Sequence, residues 1–122
     1  MGDYQSYEVG VLRLRALPNF WCHASADHAV STRLAPAGLE RTQVVVTWLV
    51  DEDAVEDRDY SLERLLPVWG RTSEQDWQLC ERNQCGIGSS GYRPGPLSKR
   101  HEPNVAAFHD WYRGAMGAPV KP

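Results

Sequence analysis

The apolar residues of this chain change their period once, near residue 60. From Val9 to Val50 they fall largely on alternate positions, as in Val30, Thr32 and Leu34 or Val44, Val46 and Trp48. From Leu62 to Met116 they recur three or four residues apart. A strand-forming run followed by a helix-forming run points to the α+β class, with an antiparallel sheet packed against helices gathered together. At 122 residues the chain has the size of one domain.

The strand-forming half divides at its turn residues. Val9 to Leu17 mixes Val11, Leu12 and Leu14 with Arg13 and Arg15, and Phe20 to His23 continues the run after Pro18 and Asn19. Because proline cannot donate to a sheet ladder, we read one long strand bent or bulged at Pro18. Ser25, Ala26 and Asp27 form a turn, and a second strand spans Ala29 to Leu34. After Pro36, Ala37 and Gly38, a third strand runs from Thr42 to Val50, rich in β-branched and aromatic residues. The expectation is a meander of three antiparallel strands.

In the second half, Ser61 is placed to cap a helix over Leu62 to Leu66, and Pro67 should kink or stop it. A longer helix is expected from Ser73 to Gln84, ended by Gly86, Gly88 and Gly91. An irregular connection reaches Pro103. Val105, Phe108, Trp111, Tyr112 and Met116 then share one stripe of an amphipathic helix over residues 104 to 116, and the end from Gly117 onward is expected to be loose.

Charge removes several functional classes. The net charge is -3, yet residues 51 to 60 alone carry six acids against Arg58. Without a basic stripe, nucleic acid is an unsuitable partner. The apolar runs fall far short of the ~20 residues that a membrane span needs, and Met1 to Gln5 do not begin a secretion signal. A cytoplasmic location is therefore expected. Cys22, Cys80 and Cys85 cannot all pair within the chain, which speaks for free thiols in a reducing compartment.

Asp76 is the most informative candidate. It lies seven residues after Trp69 and four before Cys80, near the middle of the apolar stripe, so its carboxylate should face inward. A buried carboxylate needs a metal or a donor. The competing reading makes Ser73 an N-cap and Asp76 its reciprocal partner in a capping box, and residue spacing alone favours the cap. His23 and His28 flank a turn, and with Asp76 they would make the two-histidine, one-carboxylate set of non-haem iron sites. Strand histidines beside a turn more often serve as surface or hydrogen-bonding groups. His101 and His109 have no ligand spacing. The acidic run fails as a calcium loop, since Glu56 stands where glycine is required and Leu62 where a bidentate glutamate is required. Cys80 and Cys85, five apart, match neither a zinc knuckle nor a redox pair.

The segment Thr72 to Gly86, with its Glu74-Gln75-Asp76 and Cys80-Glu81-Arg82-Asn83-Gln84 elements, is followed by Tyr92-Arg93-Pro94-Gly95-Pro96 and then by Glu102, Phe108, Trp111 and Tyr112. Together these resemble the carboxyl end of Rieske non-haem iron oxygenase alpha subunits. Leu17 to Trp21, Ser25 to Val30 and Trp48 to Glu52 are similar to the strands preceding that helix, especially in the branch acting on glycine betaine, choline or carnitine. The resemblance runs from about Tyr7 to Met116.

It implies a helix-grip catalytic fold, a curved antiparallel sheet wrapped on a long helix with iron between them. It makes Asp76 the carboxylate ligand of Fe(II), and His23 and His28 match other family positions. It also implies hydroxylation or oxidative N-demethylation with dioxygen, with electrons arriving from a reductase through a two-iron two-sulfur cluster. The Cys-x-His and Cys-x-x-His pairs of the Rieske domain and the segment bearing both iron-ligating histidines have no counterpart in residues 1 to 122. The expectation is thus the carboxyl-terminal portion of a catalytic domain whose amino-terminal part is absent or supplied by another polypeptide.

Two other readings stand beside this one. A helix-grip module without redox chemistry would bind an apolar or quaternary-amine ligand through Trp21, Trp48, Trp69 and Trp77. A fragment with two open sheet edges and an exposed apolar face would associate, as a homo-oligomer or an aggregate, or fold only within a larger assembly.

Overall fold

A computed structural model of the chain describes residues 10–117. Strands come first and helices second, in an α+β arrangement. The expected strand start at Val9 and the chain end beyond Gly117 lie outside the described residues. The described residues fall into two compact units that divide between Leu79 and Cys80.

The sheet has four strands in sequential order, β1 (Leu12–Ala16), β2 (Phe20–Ala24), β3 (Ala29–Pro36) and β4 (Thr42–Leu49), each antiparallel to the next. The long bent strand expected around Pro18 is therefore a hairpin. Ala16 faces Phe20 across a turn of Leu17, Pro18 and Asn19, with the Leu17–Pro18 peptide cis. Alternation is the same in a bent strand and in two paired strands, so periodicity could not separate them. Asn19 then ties the turn to β3, because its carbonyl accepts the Leu34 N–H at 2.9 Å and its side-chain amide donates to the Leu34 carbonyl.

Pairing aligns the side chains into rows. Arg13, His23, Val30 and Trp48 form one row across the sheet, and Arg15, Trp21, Thr32 and Val46 form the next on the same face. Val30 and Thr32, in the inner strand β3, are the buried residues among those described. The opposite face leaves Leu12, Leu14 and Leu49 at least half exposed.

Helix α1 is a single turn, Leu62–Leu65. Ser61 takes the extended cap conformation, but its side chain makes no capping bond, and its carbonyl instead accepts the Arg64 and Leu65 N–H groups. Helix α2 runs over Pro67–Ile87 rather than from Ser73 to Gln84. Pro67 ends one helix and opens the next, since the first turn of a helix does not use the N–H that proline lacks. Helix α3 covers Pro103–Ala115, within one residue of expectation, with Phe108 about 6.0 Å from the ring centres of Trp111 and Tyr112. No described helix is long and apolar enough to cross a membrane.

In the first unit, α2 meets the sheet where the Trp69 ring stands edge to face with His23, centroids 4.6 Å apart at 76°. This contact assigns the face with the Arg13 and Arg15 rows as the helix side of the sheet.

Val30, 2% exposed, anchors that face. Replacing it should destabilise the chain by about 2 kcal/mol in the Val30→Ala variant. Leu39→Ala, at a fully exposed position in the β3–β4 turn, should stay within about 0.5 kcal/mol of the parent. Urea unfolding of both variants checks this, and equal losses would contradict the placement of the core.

Candidate functional site

Asp76 lies well inside α2, more than two turns past its start at Pro67. Ser73 is interior to the same helix, so it has no free helix start to cap and the proposed capping box does not exist. Asp76 is also exposed, not turned into a core as its stripe suggested. The stripe is real at Trp69 and Ser73, both half-buried, but every residue of α2 from Glu74 onward is exposed. Periodicity shows which residues share a helix face and cannot show how far along the helix a neighbour extends. Among the described residues the Asp76 carboxylate makes no hydrogen bond or ion pair.

The two histidines have other partners. His23 is on β2 against Trp69. Burial there pushes its pKa below the ordinary 6.5, and the guanidiniums of Arg13 and Arg15 push it in the same direction. His28, just before β3, places Nδ1 2.7 Å from Asp27 Oδ1, and that hydrogen bond holds the Asp27 carboxyl below its ordinary range. The set His23, His28 and Asp76 is accordingly not assembled, and among the described residues no three His, Cys, Asp or Glu side chains are grouped to hold a metal.

Two carboxylates of the acidic loop are used internally. Asp51 accepts the Asp53 N–H at 3.0 Å, and Asp59 accepts the Val55 N–H and the Arg58 guanidinium. Both Asp59 contacts, the guanidinium foremost, lower its pKa. Cys80 and Cys85 are exposed free thiols on α2, and Cys22 is half-buried on β2.

Two features escaped the sequence reading. A cavity of about 600 Å³ opens between the β2–β3 turn and the segment leading into α1, with Asp27, His28, Asp57, Tyr60, Glu63 and Arg64 among its lining residues. Neither Asp76 nor His23 borders it. On the helix side of the sheet Trp48 buries its indole Nε1, which has no hydrogen-bond partner among the described residues. The sequence signal for the second was the pairing of Trp48 with Val30, which requires a register that only the folded sheet supplies. Of the four tryptophans considered as a ligand surface, Trp21 and Trp48 share this sheet face and Trp69 stands over it, whereas Trp77 is 38% exposed on the far stretch of α2.

Comparison with known proteins gives a consistent set of matches. Residues 3–118 match the catalytic domain of ring-hydroxylating alpha subunits. The chain is 46% identical over 116 residues to the glycine betaine monooxygenase oxygenase subunit of Chromohalobacter salexigens, an alignment covering 95% of this chain and 26% of that protein. It is 42% identical to the glycine betaine monooxygenase oxygenase subunit of Pseudomonas aeruginosa, covering 95% of this chain and 27% of that protein. It is 24% identical to the chloroplastic choline monooxygenase of Amaranthus tricolor over 77% of this chain and 21% of that protein. The chain thus spans about a quarter of the length of the curated relatives it matches.

The His23 environment yields a titration test. A histidine whose folded pKa is depressed binds its proton more tightly when unfolded. Its contribution to stability is full above the ordinary value of 6.5 and is lost as pH falls through the lower folded value. An NMR titration of the His23 ring should show a midpoint below 6.5. Trp69→Ala, which relieves burial, should raise that midpoint more than Arg13→Gln does, and a midpoint at or above the ordinary value in the parent would contradict the arrangement.

Proposed function

Since the chain belongs to the family of ring-hydroxylating oxygenase alpha-subunit catalytic domains, we propose that it supplies the carboxyl-terminal part of the catalytic domain of a Rieske-type mononuclear iron oxygenase. Its substrate in this reading is a small quaternary amine of the glycine betaine type, hydroxylated or oxidatively N-demethylated with dioxygen. The observation that carries the reading is Asp76, a carboxylate on α2 that is neither capping the helix nor engaged by another described side chain. Such a group is free to act as a metal donor.

The described residues do not make an iron site by themselves. In the proposal the remaining donors, and the two-iron two-sulfur cluster, come from parts of the oxygenase outside residues 1–122. A reductase supplies electrons, the enzyme works in the cytoplasm, and copies of the chain associate. The sheet and α2 form part of a helix-grip. This chain's own contribution is then to present one carboxylate and to line the ligand space with the helix side of the sheet, where Trp21 and Trp48 offer ring faces to a quaternary ammonium.

A second reading, a helix-grip module that binds a quaternary amine without redox chemistry, draws support from the same tryptophans. Asp76 separates the two. In a chimera carrying residues 3–118 in place of the matching part of the Pseudomonas aeruginosa oxygenase subunit, Asp76→Ala should remove mononuclear iron and oxygenation while leaving the cluster absorbance and the melting temperature nearly unchanged. Loss of one donor from a three-residue set is expected to cut metal affinity at least about 100-fold. Iron retained at parental stoichiometry would overturn the assignment.

A further inference from the structure

The two edges of the sheet are built differently. β1 is five residues long and carries Arg13 and Arg15, charges of the kind that keep an edge from pairing with another chain. A second copy paired antiparallel about Leu14 would set Arg13 directly against Arg15 twice, which is unfavourable. β4 is eight residues long, pairs with β3 alone among the described strands, and contains no charge, proline or glycine. A long uncharged edge of β-branched and aromatic residues is a template for a further strand.

The sequence of β4 fits itself. In an antiparallel pair about a two-fold axis, opposite residues share a face, so the axis passes through a residue rather than between two. With the axis at Val46, Val44 meets Trp48 and Val45 meets Thr47 of the second copy, combinations of β-branched and aromatic side chains that favour cross-strand contact. The same register continues past the strand ends and sets Arg41 opposite Asp51, twice by symmetry. Both residues are exposed, and among the described residues the Arg41 side chain makes no hydrogen bond or ion pair. Glu40 and Glu52, the next residues out, are in a bend and a turn rather than in extended backbone. With the axis at Val45, Arg41 would meet Leu49 and the charges would go unmatched.

We propose that β4 is a self-pairing edge, through which two copies of this chain join antiparallel about a two-fold axis at Val46, with Arg41 of each copy paired to Asp51 of the other. The inference rests on the association of copies proposed above and gives it an edge and a register. It does not depend on Asp76 or on iron.

The test is sedimentation equilibrium of the full chain at neutral pH and low ionic strength. The parent should sediment at twice the 13.8 kDa of one chain. Arg41→Glu sets acid against acid and Asp51→Arg sets base against base, so each variant alone should dissociate at least about tenfold more readily. Mixed together, the two variants regain opposite charges at both ends and should form a dimer as tight as the parent's. Thr47→Lys, at an exposed position of the β4 edge, should also weaken the dimer, whereas Leu14→Lys on β1 should leave it unchanged. A parent dimer that Leu14→Lys dissolves, or that Thr47→Lys leaves intact, would overturn the β4 edge and leave the association standing. Charge variants that fail to pair on mixing, each with the parent circular dichroism spectrum, would overturn the register and with it the inference. A parent chain that sediments as a monomer would overturn both the inference and the association, and leave β4 to a strand from outside residues 1–122.

Discussion

The row Arg13, His23, Val30 and Trp48 is the constraint on which the rest depends. A strand's side chains alternate between faces, so a slip of one residue of β3 against its neighbours would move Val30 and Thr32 out of the core and bring in residues from the other face. Because the core is so small, such a slip would leave almost nothing buried. The turn at Leu17, Pro18 and Asn19 holds the register from one end through the paired bonds between Asn19 and Leu34. The same register places His23 under Trp69 and so decides which face the helix uses.

Proline has a second, separate consequence at position 67. By opening α2 there instead of merely stopping α1, it moves the helix start ahead of Ser73. Ser73 then becomes an interior residue, and the local partner that could have occupied Asp76 disappears. A carboxylate that spacing alone assigns to a cap is left without a hydrogen bond or ion pair among the described residues. This link runs from one residue's missing N–H to the chemistry of another, and it gives the metal-donor reading its physical basis.

The two faces of the sheet differ in character. The helix side carries aromatic rings and, among the described residues, an indole N–H without a partner and two guanidiniums without a hydrogen bond or ion pair. The other side presents Leu12, Leu14 and Leu49 to solvent. The buried indole N–H is costly unless it meets a ligand or water, whereas the exposed guanidiniums are hydrated. The acidic loop contrasts with this face, because Asp51 and Asp59 there close their own turns and Asp59 holds Arg58.

Period and turn chemistry by themselves determined the α+β class, the strands around Val30 and Val46, the final helix and the stripe shared by Trp69 and Asp76. Those features are local, set by side chains a few residues apart, and the motifs around Asp76 and Tyr92 were enough to show the family resemblance. Only the tertiary structure decided that Pro18 sits in a hairpin turn, that Pro67 begins a helix, and that Asp76 is exposed beyond the covered part of α2. The same is true of the encounter of Arg13 with His23 and of His23 with Trp69. The physical reason is that alternation and helical period record which way a residue points along its own element. Whether something stands opposite depends on strand register and on where a neighbouring element ends, and these follow from contacts between residues distant in the chain.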